Sequence, residues 1–410
     1  MVQLKKYFCT TANQKSSLSL HNIIKPLYMV STLLGLFPYS VSFVKTKQRF
    51  NIVRKSIYVN SLSALTICLL IFSFTGLHVK DVLLAEEYFD LTDVILTQMN
   101  YIFEMIVLVI FCVVAYVCAF VNRMKYVRML NQLMSTWYEF PPSDNNHRIL
   151  TYLRFQVNVI CFPILCVVLV IQICVNFTRS NSLWKIVLVA FTFNLSQMVQ
   201  FVTLSVYYMF VMTVIALMMN IEWHCRCLQK DSMKSNDNFV QVQNKAMLTL
   251  KQMKIIYVKA FEIKSDINEA FQGPILATAL QCFHSIVSEA HIIYHGLVIQ
   301  NTITTHEVLN CCIWISYQIL KLYSVAYSGH LLKLQGLKIG QILHRIPTEK
   351  RDSRWLMETQ HFSSLMYYHD IELNVYGYFP LNATFIYNML ASVTMYSIIL
   401  VQFDKQAQSD

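Results

Sequence analysis

The last apolar stretch of the sequence, from Tyr376 to Phe403, has no charged residue but carries regularly spaced polar side chains. At 100° per residue of helix, four of these polar residues fall within an arc of about 80°. Such a stripe either faces a water-filled path or packs against another polar face. Several copies of this helix around one axis would form a pore without charged rings, which predicts weak discrimination among ions. The residues predicted to line this pore are Thr384, Asn388, Ser392 and Gln402, with a constriction formed by Ile399, Gln402 and Phe403.

A second set of polar and aromatic residues lies near one end of the other apolar stretches. A small-molecule site needs a mostly apolar cavity with a few converging polar groups, and ionisable groups inside a membrane are costly enough to be functional candidates. The same side chains also mediate packing between membrane helices, so a structural role stays open. The candidate ligand-binding residues are Tyr101, Glu104, Asn194, Gln197, His291, His295, Trp314, Tyr317 and Gln318.

Two features of this set bear on other chemistry. His291 and His295 are four residues apart and share a helix face, but two ligands are too few for a metal, so no metal site is expected. Lys321 lies near the middle of another apolar stretch. We expect it to pair with a carboxylate or to extend toward the membrane surface.

Signatures of catalysis are absent from the sequence. There is no phosphate-binding glycine loop of the GxxxxGK[ST] type, no GxGxxG, no GxSxG and no HExxH. The sequence therefore predicts a protein that is not an enzyme and that needs no cofactor.

The elements that must position these residues are membrane helices. The 410 residues are 55% apolar and only 14% charged, and the mean hydropathy is +0.44, which leaves too little polar surface for a soluble fold of this size. We predict a single all-α domain with seven spans of about 20 residues or more. The spans are residues 57–77, 99–121, 155–175, 186–219, 275–299, 309–332 and 376–403, with an interfacial or re-entrant helix at 27–44 and cytoplasmic helical regions at 220–274 and 333–375.

The distribution of basic residues predicts the orientation. With seven spans, 28 Lys and Arg residues fall on one side and 4 on the other; counting 27–44 as an eighth span would change this to 24 against 8. The excess of basic residues on cytoplasmic loops favours seven spans, a cytoplasmic N-terminus and an extracellular C-terminus. The net charge of +10 thus reflects orientation rather than nucleic-acid binding. The sequon at Asn176 falls on the outer side, where it predicts glycosylation.

The segment Thr394–Phe403 resembles the C-terminal signature of insect gustatory receptors. Tyr396, a spacer of five residues and the pair Gln402-Phe403 match this signature, whereas Met395 stands where the family has Thr. The segment from Lys25 to Pro38 is similar to the opening of the same family. Ser397 stands where the sugar-sensing branch carries Glu, so the resemblance favours bitter or other non-sugar cues.

This resemblance implies a ligand-gated, non-selective cation channel in the plasma membrane, detecting small-molecule tastants. It implies a homo- or hetero-tetramer with related receptors, surrounded by lipid, in which Tyr396, Gln402 and Phe403 belong to the gate region of the last span. An odorant receptor of the same superfamily is the alternative, and a seven-span receptor coupled to G proteins is a further one. A transporter is disfavoured because the sequence has no repeated halves.

Overall fold

The computed structural model describes residues 18–37, 41–44, 49–52, 56–84, 95–161, 182–234, 248–299, 303–346 and 353–409, together with isolated helical positions between 164 and 174. This part of the chain is nearly all helical. The helices are α1 (Leu20–Leu33), α2 (Ser56–Leu84), α3 (Ile95–Val121), α4 (Arg123–Tyr138), α5 (Asp144–Arg154), α6 (Leu183–Val189), α7 (Leu195–Lys234), α8 (Leu250–Tyr294), α9 (Thr305–His344), α10 (Ser353–Tyr368) and α11 (Ala383–Ser409). Three π-helical segments, Phe155–Cys161, Ala190–Asn194 and His295–Ile299, continue or precede these helices. Two short antiparallel pairs, β1 (Val41–Val44) with β2 (Arg49–Ile52) and β3 (Asn374–Val375) with β4 (Phe379–Pro380), complete the fold.

Helix α7 forms the centre of the bundle. The most apolar 18-residue window of the run from Leu183 to Lys230 is 100% buried, because α3, α8 and α9 pack around it. The equivalent windows of α2 and α11 are only 11% buried. A helix that is apolar on all sides is stable when it is enclosed by other helices or by lipid, so α7 is the core and α11 lies at the outside of the single chain.

Among the helices that the structure describes, five are long and apolar enough to cross a membrane. They are Asn60–Leu83, Met99–Val121, Leu183–Lys230, Thr305–His344 and Ala383–Gln402. The predicted span 155–175 is described only in part, and the predicted span 275–299 forms the last part of α8 and the π-helical turn after it. The count of seven spans and the sides of the two termini therefore stay predictions.

The last helix begins later than the predicted start of its span at Tyr376. Residues 374–380 form the β3–β4 hairpin instead, with positive φ angles at Tyr376 (49°) and Gly377 (76°). Residues with this left-handed backbone cannot belong to a right-handed α-helix, and glycine adopts it without strain. Helix α11 then begins after Asn382, whose side-chain oxygen accepts hydrogen bonds from the backbone N–H of Thr384 (2.9 Å) and Phe385 (3.4 Å).

The N-terminal helix also differs from its predicted bounds of 27–44. Helix α1 begins earlier, where the Ser19 hydroxyl caps the N–H of Asn22 (3.4 Å). It ends at Leu33, before Gly35 with φ of 70°, and residues 41–44 form β1. The apolar sequence alone did not reveal that the helix ends at Leu33, just before Gly35.

The N-terminal half of α8 packs in a charged layer with α4 and α10. Arg128 pairs with Asp266, and Lys254 with Glu358 at 3.0 Å. The hydrogen bonds from Arg128 to Asp266 raise the pKa of the guanidinium. These contacts fix the half of α8 that precedes its predicted span.

Candidate ligand-binding region and pore helix

A hydrogen-bonded cluster joins α3, α8 and α9 inside the bundle. The Ser285 hydroxyl donates to the Glu104 carboxylate at 2.7 Å. The Trp314 indole N–H donates to Ser285 at 2.9 Å and lies 3.3 Å from Glu104. Glu104 is only 4% exposed, and a buried carboxylate is stable when such donors surround it. Two predicted ligand-binding residues, Glu104 and Trp314, therefore meet at one point.

A second cluster connects α2 to α3 and to the π-helical segment before α7. The Thr192 hydroxyl donates to the Leu188 carbonyl, so the His78 Nδ1–H donates to Thr192 Oγ1 at 3.0 Å. The other ring nitrogen of His78 then accepts from the Tyr101 hydroxyl at 3.3 Å. The rings of Tyr101 and Phe193 lie 5.2 Å apart. Tyr101 is thus oriented by a buried histidine that sequence reasoning did not select.

A third cluster surrounds Lys321, which is 1% exposed. Its ammonium group donates to the side-chain oxygens of Gln197 (2.7 Å), Gln200 (2.5 Å) and Gln281 (3.1 Å). It also lies 4.6 Å from the centre of the Tyr317 ring. The expectation that Lys321 pairs with a carboxylate or reaches the membrane surface is therefore wrong. Three amide oxygens from two neighbouring helices satisfy its three N–H groups instead.

The remaining predicted ligand-binding residues are all buried. Gln318 is fully buried one turn before Lys321, and Tyr317 is 8% exposed with its ring 5.9 Å from that of Trp314. Asn194 is buried next to Phe193 in sequence. His291 and His295 are buried six and ten residues beyond Ser285, with their rings 5.9 Å apart.

The clusters are made by residues that sequence reasoning found and by residues that it missed. The missed residues are His78, Thr192, Gln200, Gln281 and Ser285. Gln200 and Gln281 could have been found, since each is an amide inside a predicted span. Among the described residues, no three or more His, Cys, Asp and Glu side chains are arranged to hold a metal ion.

Helix α11 has one buried face and one exposed face. Phe385 and Val393 are buried against α8 and α9 residues such as Cys282 and Ala326, with Met389 alongside. Much of the rest of the helix surface is exposed in the single chain, and the exposed residues include Thr384, Asn388, Ser392, Tyr396, Ile399 and Gln402. Asn176 lies outside the described residues, as does the side chain of Phe403.

A direct contact links α11 to the helix that carries Gln281 and Ser285. The rings of Phe283 and Tyr396 meet edge to face at 5.6 Å. Phe283 lies two residues from each of Gln281 and Ser285, so a displacement of α8 moves both the buried clusters and this ring. A second close contact joins α9 to the start of α11. An added Cβ at Gly329 of α9 would lie 2.2 Å from the Leu381 carbonyl oxygen, just before α11.

Long apolar helices around a buried polar interior define a helical membrane protein. The family described as 7tm Chemosensory receptor matches residues 24–407. The chain therefore belongs to the 7tm chemosensory receptor family, and it is a membrane receptor rather than an enzyme. This confirms the predicted membership of the insect chemoreceptor superfamily.

The fold is similar to that of the insect olfactory receptor OR5 from Machilis hrabei. The structure of that receptor in complex with eugenol gives a TM-score of 0.72 at 11% identity, and a second structure of it gives 0.71 at 12% identity. Each comparison covers 94% of this chain and 98% of the other. The likeness confirms the helical fold. No curated protein matches the sequence significantly.

Proposed function

We propose that this protein is a gustatory receptor, acting as a ligand-gated, non-selective cation channel in the plasma membrane. The observation that carries the proposal is the polar stripe of α11, where Thr384, Asn388 and Ser392 are exposed in the single chain. Hydroxyl and amide groups along a membrane helix are costly against lipid. They are solvated if four copies of the chain, alike or from related receptors, place α11 around a central water-filled pore.

The ligand site in this proposal is the region of the buried clusters between α3, α7, α8 and α9. It combines the aromatic rings of Trp314 and Tyr317 with the polar groups of Glu104 and Gln197. This is the composition that binds small molecules with defined orientation. Tyr101 and Gln318 belong to these clusters, and the buried residues Asn194, His291 and His295 are the further candidates.

Gating follows from the contact between α8 and α11. A ligand that binds one arrangement of the clusters better than the other shifts the population toward that arrangement by its differential affinity. Movement of Phe283 with α8 displaces Tyr396, and through α11 the constriction at Ile399, Gln402 and Phe403. The coupling requires two arrangements of α8 relative to α11. Structures determined with and without the ligand would reveal both.

The ending Gln402-Phe403 favours taste over smell, and Ser397 favours non-sugar cues. The second candidate function is an odorant receptor, because the structures compared above are of an olfactory receptor and one holds eugenol. Both functions share the channel, the small-molecule ligand and the membrane. They differ in whether dissolved bitter compounds or volatile compounds open the pore.

The test is voltage-clamp recording of the full-length chain in a heterologous cell, with panels of sugars, bitter compounds and volatiles. The proposal expects cation currents evoked by bitter or other non-sugar compounds, with similar Na⁺ and K⁺ permeability. Currents evoked by volatiles alone would favour the odorant receptor. Responses that need a G protein and pass no current through the chain would contradict the channel.

Topology is tested separately in intact cells. Epitope tags should be stained without permeabilisation at the C-terminus and only after permeabilisation at the N-terminus. Removal of the sequon by Asn176→Gln should abolish a glycosidase-sensitive shift in mobility. A stained N-terminus would contradict the seven-span orientation and favour the receptor coupled to G proteins.

A further inference from the structure

The cluster around Lys321 has more hydrogen-bond donors than acceptors. The ammonium of Lys321 uses the oxygens of Gln197, Gln200 and Gln281. The side-chain nitrogens of Gln197, Gln281 and Gln318 are buried and donate to no group among the residues that the structure describes. Buried polar groups are almost always paired, so three unpaired amide N–H₂ groups in one region need an explanation.

The three amides lie near Lys321 and Cys282, between α7, α8 and α9. The oxygens of Gln197 and Gln281 both contact the Lys321 ammonium. The oxygens of Gln281 and Gln318 both lie near Cys282 Sγ, at 3.7 and 3.4 Å. Since the nitrogen and oxygen of an amide share one carbon atom, the unpaired nitrogens of Gln197 and Gln281 lie close to the ammonium. The unpaired nitrogen of Gln318 lies close to Cys282, the neighbour of Gln281. All three glutamine side chains are fully buried.

The charge of Lys321 has no hydrogen-bonded carboxylate to compensate it. Among the described residues, its hydrogen bonds go to neutral amide oxygens. The Glu104 carboxylate contacts Ser285 and Trp314, and Ser285 lies one turn along α8 from Gln281. The cluster therefore lacks an acceptor that is both negatively charged and rich in lone pairs.

A carboxylate has these properties. Its two oxygens offer about four acceptor sites for the unpaired amide N–H groups. Its negative charge would compensate that of the ammonium, and hydrogen bonds to an ionised acceptor are the strong ones. The body of such a ligand would contact aromatic rings, because Tyr317 borders the ammonium and its ring lies 6.4 Å from that of Phe201. We propose that the side chains of Gln197, Gln281, Gln318 and Lys321 form an anion subsite that binds the carboxylate of a small organic acid. The subsite rests on the proposed ligand site and names its ligand class.

The test measures binding without relying on current. Full-length receptor is purified in detergent, and its thermal unfolding is followed in acetate, butyrate and benzoate. The neutral partners are ethanol, butanol and benzyl alcohol, with ionic strength held constant. We expect at least one acid to raise the unfolding temperature saturably, and more than its neutral partner does. In Lys321→Met the apparent affinity for that acid should fall about tenfold or more, since the positive charge that compensates the carboxylate is lost. Lys338→Met, an exposed lysine on the same helix, is the matched control and should bind the acid as the wild type does.

Gln318→Glu provides a second test that keeps Lys321 in place. It supplies a carboxylate from the protein itself, so this variant should unfold at a higher temperature and lose the response to the acid. Three results would overturn the proposal: no acid acts differently from its neutral partner, the acid acts equally on Lys321→Met, or chloride alone reproduces the effect, since the subsite would then hold an inorganic ion.

Failure of the subsite and failure of the channel are distinguishable. A receptor that binds an acid through Lys321 but passes no current contradicts only the channel. A receptor that opens to neutral compounds and whose unfolding ignores Lys321 contradicts only the subsite.

Discussion

The buried clusters and the exposed face of α11 are both polar regions on apolar helices, but they obtain their partners differently. Glu104, Ser285 and Trp314 satisfy one another inside a single chain. The stripe of Asn388 and Ser392 is exposed on the surface of that chain. The cluster of Glu104 can therefore be complete in a monomer, whereas the stripe requires water or other copies of the chain. We infer that ligand recognition resides within the subunit and conduction in the assembly.

The largest effect is expected where the two regions are joined. In Gly329→Ala the new methyl group would overlap the Leu381 carbonyl oxygen, since a Cβ there lies 2.2 Å from it. Overpacking against backbone should cost about 3 kcal/mol and shift the start of α11. The measurement is the unfolding temperature of the purified protein together with the ligand-evoked current.

Gly340→Ala is the control on the same helix. Its Cβ would meet Met366 Cε at an ordinary 3.8 Å, so this variant should be as stable as the wild type or slightly more stable. Equal behaviour of the two variants would show that α9 and the start of α11 are not in close contact.

A smaller effect is expected within the buried clusters. Glu104→Ala removes the acceptor of the Ser285 hydroxyl and should destabilise the protein by about 2 kcal/mol, because a buried donor loses its partner. Glu104→Gln keeps an oxygen at this place and should recover most of the loss. If both variants unfold like the wild type in a thermal scan, the cluster does not hold α3 to α8 and α9.

The smallest effect is expected at the contact between α8 and α11. The ring pair of Phe283 and Tyr396 should contribute about 1 kcal/mol of coupling. A double-mutant cycle with Phe283→Leu and Tyr396→Leu, measured on the ligand concentration for half-maximal current, should show non-additive shifts of a few fold. Additive shifts would mean that gating passes through another contact.

Sequence reasoning predicted the individual helices better than the side-chain contacts between them. Hydropathy identified the apolar stretches of α3 and α9, and the cost of charge in a membrane singled out Glu104. It could not show that Ser285, 181 residues away, would donate to Glu104, because helix packing sets that contact. The same limit made the expected partner of Lys321 wrong, since a carboxylate is the usual partner whereas the fold supplies three amides.

Two predicted helix boundaries were wrong for a local reason. Residues 376–380 are apolar enough to read as part of a span, but the backbone at Tyr376 and Gly377 is left-handed and turns the chain into a hairpin. His78 was missed because its apolar stretch was ended at Leu77, whereas α2 continues to Leu84. Both cases involve residues at one terminus of an apolar run, where hydropathy does not define the residue at which the helix begins or ends.

The central claim is that the exposed polar stripe of α11 lines a pore. Its most direct test replaces neighbouring residues of the two helix faces by cysteine, Ser392→Cys on the stripe and Val393→Cys on the buried face. A charged thiol reagent is applied from outside during the current evoked by the most active compound of the panel, with wild type as background. We expect rapid block of Ser392→Cys when the ligand is present, and no more effect on Val393→Cys than on wild type. An unaffected Ser392→Cys current, or equal block of both variants, would contradict the claim.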